Sequence, residues 1–175
     1  VNCSGVNLDN AQFQRSQFQM ADFSNSTARN AVLLSTTWAK SEIDNSDWTN
    51  VDMTSANGSN AKFTNSKLTN AKMFSGNFAY ADFNNIMMEN AYAEGVDFSS
   101  SKFVNSILAG SILANSSFNN AKITNSQMQR CVLNDVTLHY ADLSNTNFES
   151  SLMKDISLTG ANFSGTKLIN VFLSL

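Results

Sequence analysis

Residues that could carry chemistry are few in this chain. His139 is the only histidine among 175 residues, and Cys3 and Cys131 are the only cysteines. Catalysis requires acid, base or nucleophile groups that converge in a cleft, and a zinc site requires a Cys/His cluster. Paired carboxylates occur, as at Glu42/Asp44, but without a pocket we expect them to be solvated. The sequence therefore predicts no catalytic residue, no metal ligand, no cofactor-binding residue and a non-enzymatic protein.

The composition is that of a folded chain and not of a linker. Hydrophobic residues make up 42%, with 13 Phe, seven Met and no Pro, while charged residues make up only 14%. The sequence contains no stretch of 18 apolar residues, which a transmembrane helix would require, and the first residues show no signal-peptide pattern. The net charge of -3 is mild and does not indicate a nucleic-acid partner.

An internal repeat of five residues predicts the secondary structure that positions these side chains. Written in rows of five from Val1, the chain fills 35 rows without insertion. The first column is small, mostly Ala, Ser, Val or Thr. The third column is large and apolar in 31 of the 35 rows, and the fifth is Asn in 16 and Gly in five. The departures in the third column are Cys3, Ala28, Gly58 and Ala93.

A period of five matches neither a helix nor a plain strand. Columns one and three are two residues apart, so they point the same way from an extended segment while column two points outward. Columns four and five must turn the chain, and Asn and Gly tolerate the left-handed backbone angles of a corner. Each row is therefore predicted to form one short side of a coil.

The rows resemble the pentapeptide repeat family, whose consensus is A(D/N)LXX. Good local matches are Ala21-Asp22-Phe23-Ser24-Asn25 and Ala141-Asp142-Leu143-Ser144-Asn145, and the resemblance covers the whole chain. It implies an all-β fold, a right-handed quadrilateral (four-sided) β-helix solenoid. With four rows in each coil, residues 1–175 would form a single domain of about nine coils of four pentapeptides, roughly 42 Å long at one strand spacing per coil.

Residues 20 apart are stacked neighbours in such a coil, and the sequence supports this spacing. Glu42, Asp47 and Asp52 are followed 20 residues later by Lys62, Lys67 and Lys72, which predicts ion pairs between coils. Two columns of Asn, one from Asn25 to Asn145 and one from Asn10 to Asn90, predict hydrogen-bonded ladders. Gly58 falls between Trp38 and Phe78, so a large neighbour is expected to fill its space.

One side of the coil has unusually apolar outward residues. From Tyr92 to Phe172 its second column is uninterrupted apolar, and a band of this length is typical of an interface. The alternative is that these residues only reflect strand propensity. We expect this side to be covered by a protein partner, a second copy or another part of the same chain. The candidate interface residues are Val32, Leu34, Phe74, Met87, Tyr92, Ile107, Ile112, Val132, Leu152 and Phe172.

The sequence is less specific about the ends of the domain and about its cellular environment. Ile169, Phe172 and Leu175 resemble a surface awaiting a cap, so the domain is expected to lack its terminal caps or to come from a longer protein. Cys3 and Cys131 lie about 30 Å apart along the axis and cannot form a disulfide. A reducing environment is favoured, in the cytoplasm or for a secreted effector.

Two functions remain open at this stage. The first is a bacterial protein-binding scaffold, with no direct nucleic-acid binding. The second, implied by the family resemblance, is a DNA mimic that interacts with topoisomerase (gyrase) in the manner of quinolone-resistance proteins. A DNA mimic needs an acidic face, whereas here the acids alternate with lysines.

Overall fold

The backbone pairs with itself at intervals of 20 residues along the whole chain. The computed structural model describes all residues 1–175. Each second-column residue from Asn2 to Asn147 forms a parallel bridge with the residue 20 positions later. Near the C-terminus the pairing widens into two strands, β1 (Leu152–Met153) and β2 (Phe172–Leu173), which are parallel with Leu152 opposite Phe172. Twenty residues are four rows, so the pairing interval is the one that a four-sided coil requires.

Hydrogen bonds between coils satisfy the backbone. The Phe63 N–H donates to the Asp82 carbonyl at 2.8 Å, and the same bond recurs from row to row. At many corners a first-column N–H bonds back to the third-column carbonyl three residues earlier, as from Ala61 to Gly58 at 3.0 Å, and at others it donates to a serine hydroxyl of the next coil. Buried peptide groups are costly when unpaired, so this repeated pattern sets the spacing between coils.

Every corner is made by a left-handed residue in the fifth column. All 34 fifth-column residues from Gly5 to Asn170 have positive φ, between 53° and 75°. Only five of them are glycine, and Asn is the most frequent of the others, as the sequence predicted. The same conformation is imposed on Tyr80 and Tyr140, where the tyrosine backbone is less stable than that of glycine or asparagine.

The first and third columns point into one continuous core. It contains 41 buried hydrophobic residues, as the column pattern predicted. Aromatic rings stack along the axis at the 20-residue interval: the centroids of Phe63 and Phe83 are 5.1 Å apart, and those of Phe83 and Phe103 are 4.8 Å apart. The stack is a continuous apolar rod inside the solenoid.

Two glycines make room for one phenylalanine. A Cβ on Gly58 would lie 2.4 Å from Phe78 Cε1, and a Cβ on Gly76 would lie 2.7 Å from Phe78 Cε2. Phe78 therefore fills the space that the missing Gly58 side chain leaves. The compensation predicted for Gly58 is found, while the part played by Gly76 was not predicted.

Buried hydroxyls in the first column link successive coils. Ser66 Oγ donates to the Ile43 carbonyl at 2.7 Å and accepts a bond from the Ser46 N–H at 2.9 Å. Ser116 donates to the Ala93 carbonyl in the same way, at 2.7 Å. A small inward residue thus adds polar cross-links without leaving a buried hydroxyl unpaired. The sequence analysis missed this role of serine.

The predicted ion pairs between coils form at one of the three positions. Lys62 Nζ lies 2.8 Å from Glu42 Oε1, as expected. For Asp47 and Asp52 the prediction was wrong, although each is bridged to its lysine through the backbone. Asp47 pairs instead with Arg29 Nε at 3.0 Å, and Asp52 accepts a bond from the Thr54 hydroxyl at 2.7 Å. Nearby donors in the same row or in the adjacent coil satisfy these carboxylates, and Lys67 and Lys72 form no ion pair.

The asparagine ladders form over part of their length. In one column Asn65 Nδ2 donates to Asn45 Oδ1 at 3.3 Å, and Asn85 donates to Asn65 at 3.0 Å. In the other, Asn50 donates to the Asn30 side chain at 3.0 Å. That second ladder continues from Asn70 to Asn50 at 2.9 Å and from Asn30 to Asn10 at 3.5 Å. The other asparagines of these two columns, Asn25, Asn90, Asn105, Asn125 and Asn145, keep the left-handed backbone without a ladder bond.

Candidate protein-interaction site

An apolar strip runs along one side of the solenoid. We call this the apolar side; its outward second-column residues are Gln12, Val32, Asp52, Lys72, Tyr92, Ile112, Val132, Leu152 and Phe172. Bridges join Tyr92 to Ile112, Ile112 to Val132 and Val132 to Leu152, and strand pairing joins Leu152 to Phe172. Five apolar side chains therefore follow one another at single-strand spacing, without an intervening polar residue.

The strip is accessible to a partner. Tyr92 is 44% exposed, Leu152 37% and Phe172 58%, while Ile112 and Val132 are half-buried between their neighbours. Large apolar groups with this exposure still present apolar area to solvent, so their burial by a partner would be favourable.

The other candidate residues divide into those that join the strip and those that do not. The Phe74 ring lies beside Tyr92, with centroids 6.2 Å apart, and extends the strip sideways. Met87 and Ile107 are bridged to each other on the preceding side, in the rows that lead into Tyr92 and Ile112. In contrast, Asp52 and Lys72 separate Val32 from Tyr92, so Val32 and Leu34 form a separate half-buried pair.

Two opposite charges flank the strip in the fourth column of the same side. Glu94 is exposed, and its Oε1 accepts a bond from Asn115 Nδ2 at 3.3 Å. Lys154 is 59% exposed and lies 3.4 Å from the Asp155 carboxylate. These charges stand three coils apart on the edge of the apolar strip.

A shallow hollow lies on the preceding side, next to Ile107. Gln127, Gln129, Arg130 and Glu149 line most of it. Gln129 Nε2 donates to Gln127 Oε1 at 2.6 Å, whereas Gln129 Oε1 is buried without a partner. No sequence signal marked this hollow, because its polar residues occupy ordinary outward columns.

The reactive side chains do not converge. His139 is half-buried, and its backbone N–H donates to Asn119 Oδ1 at 2.9 Å. Burial raises the pKa of the Cys131 thiol to about 12, and its Sγ contacts the Leu108 carbonyl at 3.2 Å. Cys3 is half-buried, and both cysteines are free. No three His, Cys, Asp or Glu side chains are grouped so that they could hold a metal ion, and no helix is suited to crossing a membrane.

The coil geometry defines a parallel β-solenoid with a five-residue row and a 20-residue pairing interval. A family model described as pentapeptide repeats matches residues 1–33, 43–73, 77–115 and 111–149, with eight copies. The chain belongs to the pentapeptide repeat family, whose members fold as right-handed quadrilateral β-helices. The family assignment made from the rows is thereby confirmed.

Solved structures of similar shape are also pentapeptide repeat proteins. The trypsin-treated form of QnrB1, a plasmid-mediated fluoroquinolone resistance protein, superposes with a TM-score of 0.76 at 16% identity, covering 95% of this chain and 90% of that one. HetL, involved in heterocyst differentiation regulation in the cyanobacterium Nostoc sp. strain PCC 7120, matches with a TM-score of 0.47 at 18% identity, covering 95% and 86%. At 16% identity the likeness to QnrB1 shows the fold alone. No curated protein matches in sequence.

Proposed function

We propose that this protein is a non-enzymatic scaffold that binds a protein partner through the apolar side. The observation that carries the proposal is the unbroken exposed strip from Tyr92 to Phe172. On the side that begins at Gln17, the outward second-column residues are polar throughout, ending at Ser157. Exposed apolar patches rimmed by polar residues are typical of protein interaction sites.

The dimensions of the strip suit the centre of an interface. Tyr92 and Phe172 are four pairing steps apart, about 19 Å at the usual strand spacing. Interfaces bury an apolar, often aromatic centre within a polar rim. Tyr92, Phe74 and Phe172 supply the aromatic groups, and Glu94 and Lys154 supply charges at the rim.

The absence of a converging catalytic group supports a non-enzymatic role. The single histidine is half-buried at a corner, and the Cys131 thiol is held protonated by burial. The repeated pairing supports a single domain of about nine coils of four pentapeptides, which presents the apolar side as one rigid, flat surface.

The test is an interaction screen in cells of the source organism with a photo-crosslinking residue at position 134, beside the strip. The triple variant Tyr92→Ser, Ile112→Ser, Val132→Ser is expected to lose the crosslinked partner. A matched control with Thr37→Ser, Val104→Ser and Thr137→Ser changes three outward residues on other sides and should retain it. A partner that survives the triple variant, or crosslinks equally from a site on another side, would refute the proposal.

The alternative, a gyrase-interacting DNA mimic, can be separated from this by a supercoiling assay. The structural likeness to QnrB1 raises the question but concerns the fold only. Against it, the second column of the side opposite the apolar one mixes signs, with Lys62 bridged to Asp82 and Lys102 bridged to Lys122. A DNA mimic needs a continuous acidic face. We expect no protection of gyrase from a fluoroquinolone; clear protection would favour the alternative.

A further inference from the structure

We propose that the partner that fits the apolar side is a second copy of this chain, packed antiparallel and side by side in one register. The proposal rests on the proposed function, because it specifies the occupant of that same side. It is carried by the positions of the apolar strip and of its two flanking charges.

The symmetry of the side selects an antiparallel arrangement. In a parallel pair whose sides overlap fully, the two-fold axis runs along the solenoid over the third column and places each second-column residue opposite the fourth-column residue of the same coil. Tyr92 would then face Glu94, and Leu152 would face Lys154, so apolar groups would be buried against charges. In an antiparallel pair the two-fold axis follows the strand direction, and second columns face second columns. The strip of one copy then covers the strip of the other.

The charges then fix the register. With the axis midway between the coils of Ile112 and Val132, Ile112 faces Val132 of the other copy and Tyr92 faces Leu152. At each end of the overlap Lys72 faces Phe172, where a lysine ammonium and an aromatic ring attract each other. The same operation places Glu94 of each copy opposite Lys154 of the other. Two intermolecular ion pairs form, one at each end of the apolar centre, and no like charges of this side are opposed.

Neighbouring registers lack this match. Moving the axis by half a coil, onto Ile112, places Glu94 opposite Asn134 and Lys154 opposite Phe74. Moving it the other way, onto Val132, places Glu94 opposite Ser174 and Lys154 opposite Ala114. The shift onto Val132 opposes all five strip residues to one another, but each shift removes both intermolecular ion pairs and places Glu94 and Lys154 opposite uncharged residues, which disfavours it. Both charges are free to re-pair, since Lys154 is 59% exposed and contacts only the neighbouring Asp155.

The area of contact predicts a weak dimer. Six coils overlap in this register, about 29 Å of one solenoid side at the usual strand spacing. A single side of that length offers less than the roughly 800 Å² per partner of a standard stable interface. The dimer should therefore have a micromolar dissociation constant and be visible only as a concentration-dependent equilibrium.

Charge exchange between the two positions tests both the occupant and the register. Sedimentation velocity of the purified full chain, from low micromolar to submillimolar concentration, should show reversible dimerisation. Glu94→Lys alone and Lys154→Glu alone should each weaken it about tenfold, because both ion pairs become like-charge contacts.

A mixture of the two variants should restore the association as a heterodimer. The Glu94→Lys chain carries a positive charge at both positions, and the Lys154→Glu chain carries a negative charge at both. Both facing pairs in the heterodimer are then of opposite sign, as they are in the wild type. Reversals on other sides, Glu149→Lys and Lys102→Glu, should leave the wild-type dimer unchanged.

Every outcome of the sedimentation experiments either supports or overturns the antiparallel dimer. A chain that stays monomeric throughout the range overturns the inference, as does a dimer indifferent to both charge reversals, or a mixture of the two variants that fails to recover. Failure here is distinct from failure of the proposed function: a monomer whose triple serine variant still loses its crosslinked partner keeps the function and rejects the dimer. If the dimer is charge-dependent, the crosslinked partner is expected to be a second copy of this chain, and a dimer that yields no such crosslink would refute the apolar side as its contact surface.

Discussion

The Phe78 ring occupies the place of the side chain that Gly58 lacks, with 2.4 Å between Phe78 Cε1 and a Cβ built on Gly58. Gly58 does not have positive φ, so the requirement for glycine is steric and not conformational. The pair shows how the solenoid tolerates a missing large residue in its third column: the neighbouring coil supplies the volume.

Gly58→Ala is therefore expected to destabilise the fold by about 1–3 kcal/mol, since the added methyl group overpacks a full core. Denaturant unfolding followed by circular dichroism measures the change. Adding Phe78→Leu to Gly58→Ala should recover part of the loss, because the two residues share one space. Strictly additive effects of the two substitutions would contradict the packing argument.

A corner residue gives a second prediction. Asn65 has φ of 56°, and its amide bonds to Asn45 and Asn85. Asn65→Val should lower the free energy of unfolding by about 1–2 kcal/mol, because a β-branched side chain is disfavoured in a left-handed corner. Asn65→Gly should cost less, although it also removes the ladder bonds. The control Lys67→Val, at an outward extended position, should be near neutral; equal losses for Val at 65 and 67 would refute the corner argument.

Cys131 should be chemically inert in the folded chain. Its thiol is buried and its pKa is raised to about 12, so almost no thiolate is present at neutral pH. Iodoacetamide at pH 8 should modify the half-buried Cys3 first and reach Cys131 only after unfolding, as peptide mass mapping can show. Modification of Cys131 at the rate of Cys3 in the native chain would contradict its placement.

Cys131→Ser should preserve the fold. Serines at the equivalent first-column position donate to a carbonyl 23 residues earlier, as Ser151 does to Met128 at 2.7 Å. A serine at 131 has the same acceptor available in Leu108. Its melting temperature should stay close to that of the wild type, whereas Cys131→Leu, a larger inward residue, should lower it.

Because of Asp47, the free energy of unfolding should decrease at acidic pH. Partial burial raises the pKa of this carboxyl, but hydrogen bonds from Thr49 and Arg29 lower it more, so the pKa is below its usual value. The unfolded chain then binds the proton more readily than the folded one. The contribution of Asp47 is complete above the unfolded pKa of about 3.9 and disappears as pH falls through the lower folded value.

The comparison of wild type with Asp47→Asn isolates that contribution. The stability difference between them should be largest at neutral pH and shrink below about pH 4. In an Arg29→Met background the difference should be smaller at every pH. A difference that is independent of pH would show that the Asp47 charge is not stabilised by its partners.

The fold was predictable because its signal repeats. Inward columns and corner residues followed from column identity, and the 20-residue pairing interval followed from the family resemblance; each was confirmed in the structure. Side-chain partners were less predictable. The 20-residue spacing predicted that Asp47 pairs with Lys67, but Asp47 bonds to Arg29 and Thr49. Several donors lie within reach of this carboxylate, and the column pattern does not determine which of them it binds.

The candidate interaction site could be predicted only as a strip of residue types. Sorting columns by side located Tyr92 to Phe172, and Phe74 was placed beside it correctly. Val32 and Leu34 were included on composition, although Asp52 and Lys72 separate them from the strip. The serine cross-links were not predicted, because inward serines were considered only as small residues. A buried hydroxyl also needs a hydrogen-bond acceptor.

The 20-residue pairing interval makes insertions and deletions act on the molecule in two different ways. Losing one row of five keeps every inward residue inward, yet turns all later residues by a quarter revolution. Tyr92 would stay in place while Leu152 moved around the corner if a row between them were removed. Losing four rows keeps every later residue on its original side and shortens the rod by one step. The fold is thus conserved in units of five residues, whereas its surface pattern is conserved only in units of 20.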